Sequence, residues 1–203
     1  MLKTPRLVEL PYHEDSATRF DAFAGRPWCV LLDSDRQRQQ QGRFDIFAAD
    51  PYLTLTTRGG KTEIQSGGKT KITDADPFAL LKEHLGGTLP GHPALPFTCG
   101  ALGYFAYDLG RRVEHLPEIA IDDIALPDMA IGLYERCVVV DHLDRRTWFV
   151  SRAVGQEMDG FIANPQGPAA LRLNRNVEAL RRGGPAPCAR LAEGAPIAPP
   201  PAR

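Results

Sequence analysis

The chain has 203 residues, a net charge of −1 at neutral pH and 43% hydrophobic residues, which suits one core-bearing domain plus a tail. A sequence pI of about 6.5 lacks the basic excess of a nucleic-acid binder. No apolar run approaches the roughly 18 residues of a bilayer span, and the start Met1-Leu2-Lys3-Thr4-Pro5-Arg6 carries no apolar signal core, so the expectation is a soluble cytoplasmic protein with no membrane partner.

Residues 5–10 read as a short first strand. Glu14 to Ala24 sets Phe20 and Phe23 at helical spacing behind early acids, which suits a short helix. Trp28 to Leu32 is a continuous apolar run, as expected of a buried strand. Asp33 to Gln41 is polar and reads as an exposed loop, and Phe44 to Ala49 makes the next strand, stopped by Asp50-Pro51. Leu53 to Thr57 alternates Leu with Thr, the pattern of a strand buried on one face. Gly59-Gly60 turns it into Lys61 to Gln65, and Gly67-Gly68 turns that into Lys69 to Thr73. Asp76-Pro77 opens a helix, with Asp76 as the cap and Pro77 in the first position. Phe78, Leu81 and Leu85 share one face of it, and Gly86-Gly87 ends it.

The stretch Gly100 to Pro117 interleaves glycines, aromatics and charges too densely for an ordinary core helix or strand, and reads as tight packing around a bend. Residues 131–140 and Thr147 to Ser151 read as a closing hairpin, with Leu143-Asp144-Arg145-Arg146 as its turn. Many strands with segregated helices predict an α+β fold with a mostly antiparallel sheet or sandwich. This domain spans residues 1–152. Residues 153–203 form an Arg/Ala/Pro-rich tail that holds nearly half of the 18 prolines. One helix is expected at 169–182, then a disordered end.

Few side chains combine into a reactive set. Cys29, Cys99, Cys137 and Cys188 show no C-x-x-C spacing, and Cys29 and Cys137 sit in apolar runs as small buried hydrophobes. His13, His84, His92, His115 and His142 never pair at i, i+3 or i+4, so no metal site is expected in this chain. The Gly-Gly-Lys triplets at 59–61 and 67–69 sit between strand-like runs, not at a helix start as a phosphate loop requires. Asp108, Arg111, Arg112 and Glu114 read as a local ion-pair network fixing the bend after Tyr107.

The stretch Gly100-Ala101-Leu102-Gly103-Tyr104-Phe105-Ala106-Tyr107-Asp108-Leu109-Gly110-Arg111-Arg112 resembles the N-terminal region of aminodeoxychorismate synthase component I. Three more blocks fit that family in order: Arg26 to Ser34, Gly42 to Pro51, and Leu126 to Tyr134 followed by Val138 to His142. The sister family, anthranilate synthase component I, shares the architecture, but Gly-Arg-Phe-Asp-Ile and Tyr-Asp-Leu-Gly-Arg-Arg look more like the folate-pathway member. The resemblance implies a part in making 4-amino-4-deoxychorismate from chorismate and ammonia, on the way to p-aminobenzoate and folate. It implies a glutamine amidotransferase partner, component II, as ammonia source. It also implies a C-terminal chorismate-binding half carrying a catalytic lysine in Pro-Ile-Lys-Gly-Thr and the carboxylates for Mg²⁺. That lysine motif is not in the sequence. The expectation is therefore a part that is inactive alone, holds no cofactor itself, and works with a C-terminal half encoded separately if at all. The alternatives are the matching part of an anthranilate synthase component I, and a non-catalytic ligand-binding or scaffold module. An adjacent reading frame encoding Pro-Ile-Lys-Gly-Thr would mark a split or broken enzyme.

Leu31-Leu32-Asp33-Ser34 resembles the Leu-Leu-Glu-Ser segment with which the sister family holds tryptophan. The resemblance implies a tryptophan-type pocket of Asp33, Ser34, Gly42, Arg43 and Phe44. Asp33 would meet the ammonium and Ser34 the carboxylate or a backbone group; Gly42 would allow close approach, Arg43 would add a cation and Phe44 an apolar wall. On residue types alone, Asp33 and Ser34 equally suit a cap on a strand-to-loop turn.

Overall fold

The computed structural model describes residues 4–20, 26–35, 42–87, 90–115, 117 and 125–152. The expected tail, its helix at 169–182, Phe23 and Cys188 lie outside them. Ten strands occur among the described residues: β1 (Arg6–Leu10), β2 (Val30–Leu32), β3 (Phe44–Ala48), β4 (Leu53–Arg58), β5 (Lys61–Ser66), β6 (Lys69–Thr73), β7 (Gly100–Phe105), β8 (Met129–Tyr134), β9 (Arg136–Asp141) and β10 (Arg146–Ser151). Helix α1 (Ser16–Phe20) follows β1, helix α2 (Pro77–Leu85) follows β6, and a 3-10 helix, Tyr107–Arg112, follows β7. No described helix is long and apolar enough to cross a membrane.

The strands form two five-stranded sheets, ordered β1-β10-β9-β3-β2 and β6-β5-β4-β8-β7. Every neighbouring pair is antiparallel. The expected mostly antiparallel α+β class is what the structure shows. Gly67 and Gly68, at φ 55° and 74°, make the two-residue turn between β5 and β6 that needs positive φ at both central positions. Asp76 caps α2 by accepting a 3.0 Å hydrogen bond from the Ala79 N–H, and Gly86 closes it at φ 70°.

Alternation along β9 explains the core. Val138 and Val140 pack with Leu10, Phe47 and Phe149 on one face of the first sheet. Cys137 and Val139 face the other way and join Ala48, Val150, Leu102 and Tyr134. Leu102 and Tyr134 come from the second sheet, so this cluster is the seam between the sheets. A third cluster, with Leu53, Leu55, Met129 and Ile131, lies under Leu80 of α2 and Leu109 of the 3-10 helix.

Several expectations change. Residues 131–140 are two strands in two sheets: β8 ends at Tyr134, β9 starts at Arg136, and Glu135 alone separates them. The hairpin is β9–β10, turning through residues 142–145. The run before Asp33 yields only the short strand β2, with Leu32 exposed and Cys29 half-buried, because no described strand pairs with its outer side. β4 is buried on both faces, Thr54 and Thr57 included, and Thr57 and Thr62 satisfy each other at 2.9 Å. In α2 the buried residues are Pro77 and Leu80, while Phe78 lies outside and stacks on Phe105. Of the glycine-aromatic stretch, Gly100–Phe105 form the exposed edge strand β7, with Gly100 and Gly103 at positive φ, and Tyr107–Arg112 turn into the 3-10 helix. The aromatics of the stretch point largely to solvent, with Tyr107 85% exposed.

Candidate functional site

The candidate residues flank one corner of the first sheet, where β2 ends and β3 begins. Asp33, Ser34 and Asp35 leave β2, and Gly42 and Arg43 enter β3 at Phe44. Residues 36–41 between them are outside the described set.

Asp45, in β3, organises this corner. Its Oδ1 accepts from the Ser34 backbone N–H at 2.8 Å and from the Ser34 hydroxyl at 2.7 Å. Its Oδ2 lies 2.7 Å from His142 Nε2. A carboxylate only accepts, so the Nε2 proton faces Asp45, and in the neutral ring Nδ1 takes the hydroxyl proton of Tyr12, 3.0 Å away. Ser16 Oγ sits 3.4 Å from the same Nε2. Asp45, His142 and Ser16 are all buried. Burial alone would raise the Asp45 pKa, but the hydrogen bonds from His142, Ser16 and Ser34 outweigh it and hold the carboxyl below its usual range. A serine, a histidine and an aspartate thus meet here without forming a nucleophilic triad. Both Ser16 and Asp45 approach the same ring nitrogen, whereas a triad needs them on opposite nitrogens.

Arg43 is spent on carboxylates. It grips Asp141 in a fork, Nε to Oδ1 at 3.1 Å and Nη2 to Oδ2 at 2.8 Å, and reaches Asp144 at 3.3 Å. Its guanidinium lies 4.6 Å over the Phe44 ring. Asp141 also accepts from the Leu143 and Asp144 N–H groups, which fixes the β9–β10 turn. Burial opposes its ionisation, but these hydrogen bonds and Arg43 bring its pKa below the usual value. Asp33 is exposed, and its Oδ1 accepts from the Asp35 N–H at 2.7 Å, the local turn bond available to any Asp after a strand.

The structure therefore brings Ser34, Arg43 and Phe44 to one corner and gives Ser34 and Arg43 protein partners. Asp45, His142 and Tyr12 are not among the pocket residues proposed from sequence; His142 is considered there only as a metal ligand. Their separations, 97 and 130 positions from His142, leave no local pattern. A groove of about 460 Å³ opens elsewhere, lined by Trp28, Asp50, Tyr52, Gln65, Gly67 and Lys69 among others, and none of the five candidate residues lines it. In the acidic and basic run after Tyr107, Arg111 pairs with Asp108 at 2.8 Å, while Arg112 donates instead to the Gly59 carbonyl. Among the described residues no three His, Cys, Asp or Glu side chains gather to hold a metal ion.

Comparison with known proteins agrees with the fold. A family model described as chorismate binding enzyme matches residues 28–166. Aminodeoxychorismate synthase component 1 of Salmonella typhimurium is 47% identical over 149 residues, 70% of this chain and 33% of that protein. The Escherichia coli protein of the same name is 43% identical over 143 residues, 68% of this chain and 32% of its own length. The crystal structure of anthranilate synthase component I from Streptococcus pneumoniae superposes with a TM-score of 0.53 at 29% identity, covering 78% of this chain and 32% of that one. The chain thus spans about a third of the length of the relatives it matches. It belongs to the family of chorismate binding enzymes.

Proposed function

We propose that this chain supplies the N-terminal part of an aminodeoxychorismate synthase component I. The whole enzyme would replace the 4-hydroxyl of chorismate with ammonia, using a component II glutamine amidotransferase in the cytoplasm. One observation carries the branch assignment. Three proteins named aminodeoxychorismate synthase component 1 are 42–47% identical, above the 30–34% of those named anthranilate synthase component 1, while two others of the first name are 27% and 30% identical. The chemistry would belong to the remaining two thirds of such an enzyme, where Mg²⁺ would hold and polarise the substrate. In this reading residues 1–152 contribute a rigid two-sheet support.

We further propose that the corner at Ser34 takes the head of a tryptophan-type amino acid. Ser34 gives its hydroxyl proton to Asp45, so it meets a ligand as an acceptor. It would suit the ammonium, not the carboxylate, and Asp33 would add negative charge beside it.

The test incubates the purified chain with chorismate, Mg²⁺ and ammonia. No product is expected from the chain alone. Aminodeoxychorismate should appear when the separately expressed remaining two thirds of the Salmonella relative is added, and glutamine should replace ammonia once component II is present. Turnover by the chain alone, or no association with the added part, contradicts the proposal.

A further inference from the structure

The fold brings together two thiols that their sequence positions keep apart. Cys99 Sγ and Cys137 Sγ lie 3.8 Å from each other across 38 positions. Cys137 is buried in β9 of the first sheet, and Cys99 is half-buried immediately before β7 of the second. Cys99 adopts φ 75°, a left-handed conformation that a β-substituted residue enters only when its surroundings hold it. Arg152 provides that hold. Its guanidinium donates to the carbonyl and hydroxyl of Thr98 and to the Pro90 carbonyl. The Cys99 sulfur is thereby fixed against its partner, with Val150 O also 3.8 Å away.

We propose that Cys99 and Cys137 are a thiol–disulfide exchange site that closes into an intramolecular disulfide, stapling the two sheets, when the protein meets a low-molecular-weight disulfide such as oxidised glutathione. The half-buried Cys99 reacts first. Its thiolate attacks one sulfur of the small disulfide, that S–S bond breaks, and one small thiolate leaves. Cys137 then attacks Cys99 Sγ, breaks the mixed disulfide and expels the second small thiolate. The two protein thiols lose two electrons, the small disulfide gains them, and the two thiol protons pass to the leaving thiolates. Closure brings the sulfurs from 3.8 Å to the roughly 2 Å of a disulfide. The Cys137 thiol beside it, and then burial, push the Cys99 pKa upward, so exchange is slow at neutral pH and accelerates in alkali.

The test exposes the reduced full chain to oxidised glutathione, quenches with an alkylating agent and maps the thiols by peptide mass spectrometry. A linked Cys99–Cys137 peptide is expected, with Cys29 and Cys188 alkylated. The oxidised chain should melt roughly 5–15 °C higher than the reduced one. In Cys137→Ser the resolving thiol is gone, so Cys99 should accumulate as the mixed disulfide with glutathione, and that oxidised variant should show no rise. Recovery of both Cys99 and Cys137 as alkylated thiols from the parent chain, or linkage of either to Cys29 or Cys188, overturns the proposal. Because the linked peptide is read in the parent chain, a variant that fails to fold leaves the decision intact.

Discussion

Asp45 joins three segments that are distant in sequence: the β2 exit through Ser34, the β9–β10 turn through His142, and Ser16 at the start of α1. Replacing it by Asn keeps the shape but leaves buried hydroxyl and imidazole donors facing an amide. We expect Asp45→Asn to cost about 2–4 kcal/mol, read as a lower denaturation midpoint, because breaking a buried charge-assisted network leaves partners unpaired. The pH dependence follows from the same bonds. Asp45 and Asp141 both titrate lower in the folded chain than the unfolded value near 3.9. As the pH falls through that value the unfolded chain takes up protons first, so the stability these groups supply is present above it and is lost as the pH drops through their lowered folded values. Melting curves from pH 6 to 3 should show a steep fall for the parent and a shallower one for Asp45→Asn. Equal slopes would mean that Asp45 is no better stabilised folded than unfolded. At the Ser34 corner, calorimetry or NMR titration should detect L-tryptophan with a dissociation constant of about 1 mM, roughly −4 kcal/mol. Ser34→Ala should weaken it. A folded spectrum unmoved by saturating tryptophan would leave Asp33 and Ser34 as turn residues.

Among the elements, β7 separates what local sequence shows from what it hides. Gly103 is there because a side chain has no room: a Cβ would stand 2.0 Å from the Ala130 carbonyl oxygen, on the backbone of the neighbouring strand. Its φ of 154° also disfavours a substituted residue. Gly103→Ala should cost about 3 kcal/mol or more, and an unchanged melting temperature would refute this close approach. Tyr107→Ala should change stability by no more than about 0.5 kcal/mol, since the ring is 85% exposed. A loss of several kcal/mol would show that the ring is covered. The glycine signal was legible because a backbone constraint acts locally. The aromatic signal misled because β7 is an edge strand, which leaves Tyr104 and Phe105 half in solvent, and Tyr107 lies beyond it in the 3-10 helix; edge or centre is decided by strand order. The same cause reshaped β2 and β4: among the described strands, one became an exposed edge and the other a centre buried on both faces. Hairpin glycines and the Asp76-Pro77 helix start were legible for the same local reason.

At the scale of the whole molecule, two sheets share a seam, and the chain passes between them at Glu135 with no loop. The apolar residues from 131 to 140 are interrupted only by Glu135 and Arg136, the charged pair at which the chain crosses, and without a Gly, Pro or Asn there the break does not read as a turn. The candidate corner was half legible. Asp33, Ser34 and Arg43 lie beside the ends of strands readable from sequence, whereas Asp45–His142 and Cys99–Cys137 arise only when distant segments meet. On the function proposed above, residues 1–152 would be interchangeable with the N-terminal third of an aminodeoxychorismate synthase component I. The most direct measurement replaces the corresponding third of the Salmonella typhimurium relative with these residues, in a strain lacking that relative, and scores growth without p-aminobenzoate. The chimera should restore growth. A chimera that accumulates as folded protein yet leaves the strain dependent on p-aminobenzoate would contradict the account.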